Sequence, residues 1–296
     1  MQRKALFILF LCISLLLSAC TISDTNQPPS TEPQSGSQIE ESTKLPNEST
    51  TEAITDTSVP ETTSQPTEPS IVIPQNSSLE VHYIDVGQAD AALVLCDGHA
   101  MLIDGGNSAD SSLIYAYLKQ RNITFLDYVV CTHAHEDHVG GLAGALNYAS
   151  VGTAFAPVAE YDTKAFQSFT KYLSSSGVSV TIPNHGDTFE LGAAKCQIIG
   201  PVYPTDEPNN TSIVIKITFG ETSFLFTGDA ETEEERNIID QGYDISCTVL
   251  KVGHHGSDTS TSYLWLREAS PDYAVISVAG TASHCEAMII AAFTKT

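Results

Sequence analysis

The sequence predicts an α/β domain of mixed sheets and helices behind a non-globular leader, and three observations carry that reading. From Leu79 onward, strand-length apolar runs alternate with segments of helical spacing. Before residue 79 the composition shifts to Ser, Thr, Pro, Glu and Gln, which cannot bury a core. Between them, the apolar run Tyr128–Val130 leads into His133-Ala134-His135-Glu136-Asp137-His138 and then Gly140-Gly141, so four ligand-type side chains leave the carboxyl end of a strand. Open α/β sheets place their sites there.

The leader comes first in the chain. Arg3 and Lys4 precede the apolar run Ala5–Leu17, which is short for a membrane span but suits the core of an export signal. Leu17-Ser18-Ala19-Cys20 follows and has the form of a bacterial lipobox, making Cys20 the expected lipidated first residue of the mature chain. Residues 1–20 are read as a lipoprotein signal peptide. Residues 21–78 are read as a disordered tether with nine acids and one base, Lys44. The expected location is the outer face of the bacterial cell membrane, held by the lipid anchor. No protein partner is inferable.

Residues 79–296 are enough for one large core. Their net charge is near −17, so a broad electrostatic grip on nucleic acid, which needs a basic stripe, is not expected. A phosphodiester substrate is not excluded, because bound cations can supply local positive charge. The five cysteines of this part are an odd number, mostly in apolar runs, and read as small buried hydrophobes; Cys131 is not taken as a ligand.

Within the domain, Leu79–Val86 alternates as a strand, Ala91–Cys96 forms a second after the Gly87-Gln88 turn, and Asp97-Gly98 is a hairpin signal before Ala100–Ile103. Asp104-Gly105-Gly106 then breaks the chain, and Ser108–Arg121 has helical spacing. After the histidine loop come a helix over Val139–Tyr148, a strand over Gly152–Ala156, a helix over Thr163–Leu173 and a strand over Val178–Ile182. Phe189–Gly192 leads into the strand Cys196–Ile199; His185, between them, is read as a turn residue. Strands follow at Ile213–Phe219, Thr222–Phe226, Cys247–Val252 and Tyr273–Val278, with a helix over Ala230–Ile239. No final strand is expected before the chain stops at Thr296.

Imidazole and carboxylate at this spacing are donors for zinc, manganese or iron. His133, His135, Asp137 and His138 are therefore the candidate metal ligands. Asp229 ends the Thr222–Phe226 strand region and reads either as a ligand or as a helix cap. Asn210 and Ser212, in Asn209-Asn210-Thr211-Ser212, read either as an Asx-type turn or as substrate contacts. His254 and His255 are adjacent; on extended backbone they would point opposite ways, so one of them is expected to face the site.

These motifs together resemble the metallo-β-lactamase-fold hydrolases, in the branch formed by the extracellular hydrolase domain of DNA-importing competence proteins. The resemblance rests on Asp85-Val86-Gly87-Gln88-Ala89-Asp90, Leu102-Ile103-Asp104-Gly105-Gly106, the histidine cluster, Asn209–Val214, Phe226-Thr227-Gly228-Asp229 and Lys251-Val252-Gly253-His254-His255-Gly256-Ser257. Ala89 stands where the family has a second glycine.

The resemblance implies an αββα sandwich with the site along one edge. It implies two divalent cations, zinc or manganese: His133 and His135 on one, Asp137, His138 and His284 on the other, and Asp229 between them. Asp104, Asp85 and Gln88 would lie behind these ligands or near the cations. Asn210 and Ser212 stand where lactamase-type members place a third imidazole. His255, beside His254, would be a ligand or a proton donor to the leaving oxygen. His284 is expected without the glycine and proline that flank its counterpart in the family.

The function implied is hydrolysis by a metal-bound hydroxide, on a phosphodiester or another small ester-type substrate, with nucleic acid among the candidates. Two alternatives stand beside it. One is a lactone, lactam or thioester hydrolase of the same fold, and the other is a catalytically impaired surface binding module.

Overall fold

The computed structural model describes residues 73–279 and 288–292. The expected export signal with Cys20, the expected tether up to residue 72, and the expected ligand His284 lie outside the described residues. Within them, two mixed sheets form the centre of the domain.

The first sheet is built by β1 (Leu79–Tyr83), β2 (Ala92–Cys96), β3 (His99–Ile103), β4 (Phe125–Val130), β5 (Ser150–Phe155) and β6 (Val180–Thr181), in that spatial order. The first three pair antiparallel, β1 to β2 through the loop 84–91 and β2 to β3 through a tight hairpin with Asp97 and Gly98 both at positive φ. From β3 to β6 the pairing is parallel, and the crossovers are helical. They are α1 (Ser111–Gln120), the short α2 (Glu136–Val139), α3 (Leu142–Tyr148) and α4 (Lys164–Ser175). The second sheet has β7 (Thr188–Leu191), β8 (Ala194–Gly200), β9 (Val214–Phe219) and β10 (Thr222–Phe226), paired antiparallel. Then α5 (Thr232–Asp240), β11 (Val249–Lys251), α6 (Tyr263–Ala269), β12 (Tyr273–Ser277) and β13 (Met288–Ala292) complete it. β10, β11 and β12 run parallel, and β13 closes the edge antiparallel to β12.

The layering follows from which side chains pack together. Leu93 and Leu102 pack with Ile114, Leu118, Leu142 and Phe166 of the helices over the first sheet. Their strand neighbours Val94, Met101 and Ile103 face Ile198, Ile215, Ile217 and Phe226 of the second sheet. Val214, Leu225 and Leu250 pack under Ile238 and Trp265 of α5 and α6. Period-two alternation thus gives each sheet one face for its partner and one for helices. This is the αββα sandwich.

Two expectations are corrected, and one helix lies where none was expected. A final strand does exist: the apolar run Met288–Ala292 pairs with β12 over five residues, from Tyr273↔Ala292 to Ser277↔Met288. The helix expected over Val139–Tyr148 is divided at Gly140-Gly141, where the chain passes against Gly105. The helix α6, with Ser262 capping the Trp265 amide and Trp265 fully buried, is not anticipated by its short apolar pattern. Cys96, Cys131 and Cys196 are buried free thiols, and Cys247 is also buried. Among the described residues no helix is long and apolar enough to cross a membrane.

Candidate metal centre

The centre forms where the carboxyl ends of strands from both sheets meet. β4 ends at Val130, and Cys131-Thr132-His133 carries the chain out; Cys131 is buried and its thiol bonds the His133 carbonyl. His135 caps α2 with extended φ/ψ, so α2 presents Asp137 and His138 from its first turn. The loop is fixed by backbone. Gly105 donates to the His138 carbonyl at 2.8 Å, and Gly141 donates to the Gly106 carbonyl at 3.0 Å. The two glycine pairs touch so closely that a Cβ on Gly105 would lie 2.5 Å from the Leu142 nitrogen.

Asp104 takes up the end of β3 with φ of 56°, a left-handed conformation that a non-glycine residue adopts only under constraint. The constraint is visible. Its carboxylate accepts the Thr132 amide at 2.8 Å and the Thr132 hydroxyl at 2.7 Å, and lies 2.9 Å from His138 Nδ1. That contact fixes the ring so that Nε2 points to the centre.

From the second sheet, Gly228 turns at φ 52° and delivers Asp229, whose carboxylate is nearly enclosed. One oxygen lies 3.2 Å from His138 Nε2, and the other is 3.7 Å from His133 Nε2, 3.7 Å from His255 Nε2 and 3.8 Å from His254 Nε2. Asp229 therefore sits among four imidazoles. His135 Nδ1 lies 3.0 Å from His133 Nε2, and His255 Nε2 lies 3.2 Å from Asp137.

His254 and His255 do not alternate as extended backbone would. Both have positive φ, 48° and 53°, and this turn brings both rings towards Asp229. His255 is buried, whereas His254 is partly exposed and is also held by Thr259 (3.0 Å) and Glu231 (3.5 Å).

The electrostatics of the cation-free chain follow from this packing. Burial alone would push His138 and His255 down. Asp229 and Asp104 hold His138 well above its usual value, and Asp137 with Asp90 pushes His255 up to about 9. His133 goes the other way: burial and the neighbouring His138 hold it well below the usual imidazole range. Burial would raise Asp229, but the imidazoles, His138 foremost, hold it well below the usual carboxylate range.

The donor set fits divalent cations. His138 Nε2, one oxygen of Asp229 and both ring nitrogens of His255 are buried without a hydrogen-bond partner, an arrangement proteins otherwise avoid. Donor atoms of Asp137, His138, Asp229 and His255 all lie within 4.8 Å of one another. Mixed imidazole and carboxylate donors suit zinc, manganese or iron.

Other expected site residues fall elsewhere. Asn210 and Ser212 are both buried, with their side-chain oxygens accepting the Glu231 and Asp229 amides beside the centre. Asp85 and Gln88 are exposed, and Asp85 accepts the amide of Gly87 in its own turn. His185 bonds Tyr243 at 2.8 Å. Two residues that sequence reasoning did not single out are part of the centre's support. Asp90 and Lys251 are both buried and form a 2.8 Å ion pair beside His255. The available signal was a lone lysine inside the otherwise apolar run Cys247–Val252.

A two-sheet αββα sandwich with a His/Asp centre at its edge defines a class, and the comparisons place the chain in it. The chain belongs to the metallo-beta-lactamase superfamily, whose family model matches residues 84–280. It is a superfamily hydrolase with competence-protein relatives. It is 28% identical over 221 residues to "ComE operon protein 3" of Bacillus subtilis, covering 68% of this chain and 28% of that protein. It is 32% identical over 205 residues to "Recombination protein 2" of Haemophilus influenzae, covering 67% of this chain and 24% of that protein. The chain thus spans about a quarter of the length of these relatives. A solved structure, the metallo-beta-lactamase fold protein YhfI from Bacillus subtilis, aligns over 60% of this chain and 70% of that one at 17% identity and a TM-score of 0.41.

Proposed function

We propose that the chain is a metal-dependent phosphodiesterase that binds two divalent cations, zinc or manganese, and works at the outer face of the cell membrane. The observation that carries the reading is Asp229, a buried carboxylate with one oxygen towards His138 and the other towards His133, His254 and His255. A carboxylate so placed can be shared between two cations. His133 and His135 form one donor group, and Asp137, His138 and His255 form the other. In this reading His255 completes the second group among the described residues; His284 lies outside them. When bound, such cations lower the pKa of water towards neutrality and neutralise charge developing on a substrate oxygen.

The chain's own residues do the rest. Asp104 and Thr132 hold His138, while the Ser212 hydroxyl and Asn210 amide oxygen hold the Asp229–Glu231 loop. His254, at the rim and backed by Glu231 and Thr259, is the side chain best placed to meet a substrate. The phosphodiester is preferred because one relative is named for recombination, and because the first donor group, His133 and His135, lacks a third imidazole among the described residues. The domain charge near −17 disfavours a long grip on duplex nucleic acid, so short or single-stranded phosphodiesters are the expected substrates. The surface location rests on the basic start, the short apolar run and Leu17-Ser18-Ala19-Cys20.

The test is hydrolysis of bis-p-nitrophenyl phosphate by the full chain with added manganese or zinc, beside a chromogenic lactam, together with cations bound per chain. Phosphodiester turnover that His135→Ala abolishes supports the reading. Turnover of the lactam alone moves the protein to carbonyl substrates. Bound cations with no turnover of either would make it a binding module.

A further inference from the structure

Asp90 lies where the two halves of the centre join. It follows the β1–β2 turn of the first sheet, yet its carboxylate reaches β11 of the second, where Lys251 Nζ lies 2.8 Å from Oδ1. The same oxygen is 3.5 Å from His255 Nδ1, and beyond these charged neighbours it has no hydrogen-bond partner. The backbone of Asp90 is equally committed: its amide donates to the Asp137 carbonyl at 3.0 Å, and its carbonyl accepts the Gly106 amide at 2.8 Å. Lys251 also donates to the Val252 carbonyl at 3.0 Å, just before the turn that bears His255. Both side chains are buried.

A buried ion pair is a weak source of stability, because taking both charges out of water offsets most of their attraction. Two apolar residues would fill the space between the sheets at no greater cost. What apolar residues cannot do is face an imidazole nitrogen. A carboxylate behind one ring nitrogen fixes the tautomer and turns the other nitrogen outward. Asp104 does this for His138 at 2.9 Å; Asp90 lies on the corresponding side of the His255 ring at a longer 3.5 Å, from the opposite sheet.

We propose that Asp90 and Lys251 are positioning residues: Asp90 orients His255 so that Nε2 faces Asp137 and Asp229, and Lys251 holds the Asp90 carboxylate in place. The pair thereby sets the affinity of the second cation group. The inference rests on the cation-binding part of the proposed function and not on the identity of the substrate.

The test uses the full chain as Asp90→Asn, Lys251→Met, their double variant and His255→Gln. Each is measured for thermal unfolding without cation, cations bound per chain, affinity by chelator competition, and the cobalt(II) visible spectrum. Each single change of the pair leaves a buried charge alone and should lower the melting temperature. The double variant removes both charges and should recover it. The double variant is nevertheless expected to hold a cation about 10–100-fold more weakly than the wild type, with an altered cobalt spectrum. Added to His255→Gln, it should weaken binding no further. Recovery of wild-type affinity in the double variant would overturn the inference and leave the pair purely structural, as would an additive loss on the His255→Gln background. A wild-type chain that binds no cation would overturn both this inference and the proposed function. One that binds cations normally but hydrolyses no phosphodiester would overturn only the function.

Discussion

The Ser212 hydroxyl oxygen accepts the backbone amide of Asp229 at 3.0 Å, and neither group is open to solvent. A residue that sequence reasoning places among the substrate contacts is thus a support for the central carboxylate. Ser212→Ala leaves that amide unpaired in the interior, which costs about 1–3 kcal/mol. The expected outcome is a lower melting temperature and weaker cation retention, with KM for a phosphodiester unchanged once cation is saturating. A raised KM with unchanged stability would return Ser212 to the substrate.

Asp104→Asn removes the charge behind His138 while keeping the shape of the side chain. The Thr132 contacts can survive in part, but the amide no longer favours one orientation of the ring. Cation affinity should fall about 10–100-fold, the range typical when the partner of a ligating histidine is changed. Equilibrium dialysis against a chelator reads this directly. Unchanged affinity would mean that Asp104 serves only the turn after β3.

The residues that were legible in the sequence are those whose chemistry is local. His133, His135, Asp137 and His138 lie within one turn of chain after one strand, so spacing alone brings them together. The strands were legible from short apolar runs, as in β2, and from alternation, as with Lys216 and Thr218 between apolar neighbours in β9. The relation of Asp90 to Lys251 was not legible, since the two are far apart in sequence and meet only when the sheets stack. The geometry of His254 and His255 was not legible either: two consecutive left-handed residues reverse the alternation an extended chain would give. The backbone contacts of Asn210 and Ser212 were not legible for a third reason. A polar residue near a site can serve backbone amides or substrate, and composition does not separate the two.

The contact of Gly105 with Gly141 makes a steric prediction. A Cβ at Gly141 would collide with the Gly105 carbonyl, and both are backbone that cannot step aside. Gly141→Ala should destabilise by about 1–3 kcal/mol or more and shift the histidine loop, lowering cation binding as well. Gly177→Ala is the control. Gly177 has φ of 73°, but an added methyl there would meet nothing within 4 Å, so the variant should lose roughly 1 kcal/mol from backbone strain alone and keep its cations. Equal losses of cation binding in both variants would remove the packing argument.

The pH dependence of the cation-free chain should run opposite to that of the loaded chain. His255 has an ordinary value of 6.5 and is pushed up to about 9 in the fold, where Asp137 and Asp90 outweigh burial. A group whose folded value is raised adds stability that is complete below its unfolded value and is lost as pH rises through its folded value. The His255 contribution should therefore be complete below pH 6.5 and lost towards pH 9, on the order of 3 kcal/mol, so the cation-free chain should weaken over that interval; His133, held low by burial and His138, acts with the opposite sign only below pH 6.5. Cations need the neutral ring, so their binding must displace that proton, and apparent affinity should climb over the same interval. His138, also held above its usual value, adds to the effect. Thermal melts with and without cation at several pH values test the first part, and calorimetric titration in buffers of different ionisation enthalpy counts the protons released. A cation-free chain that gains stability from pH 6.5 to 9, or cation uptake without proton release, would show that the carboxylates around His255 do not hold it as the geometry implies.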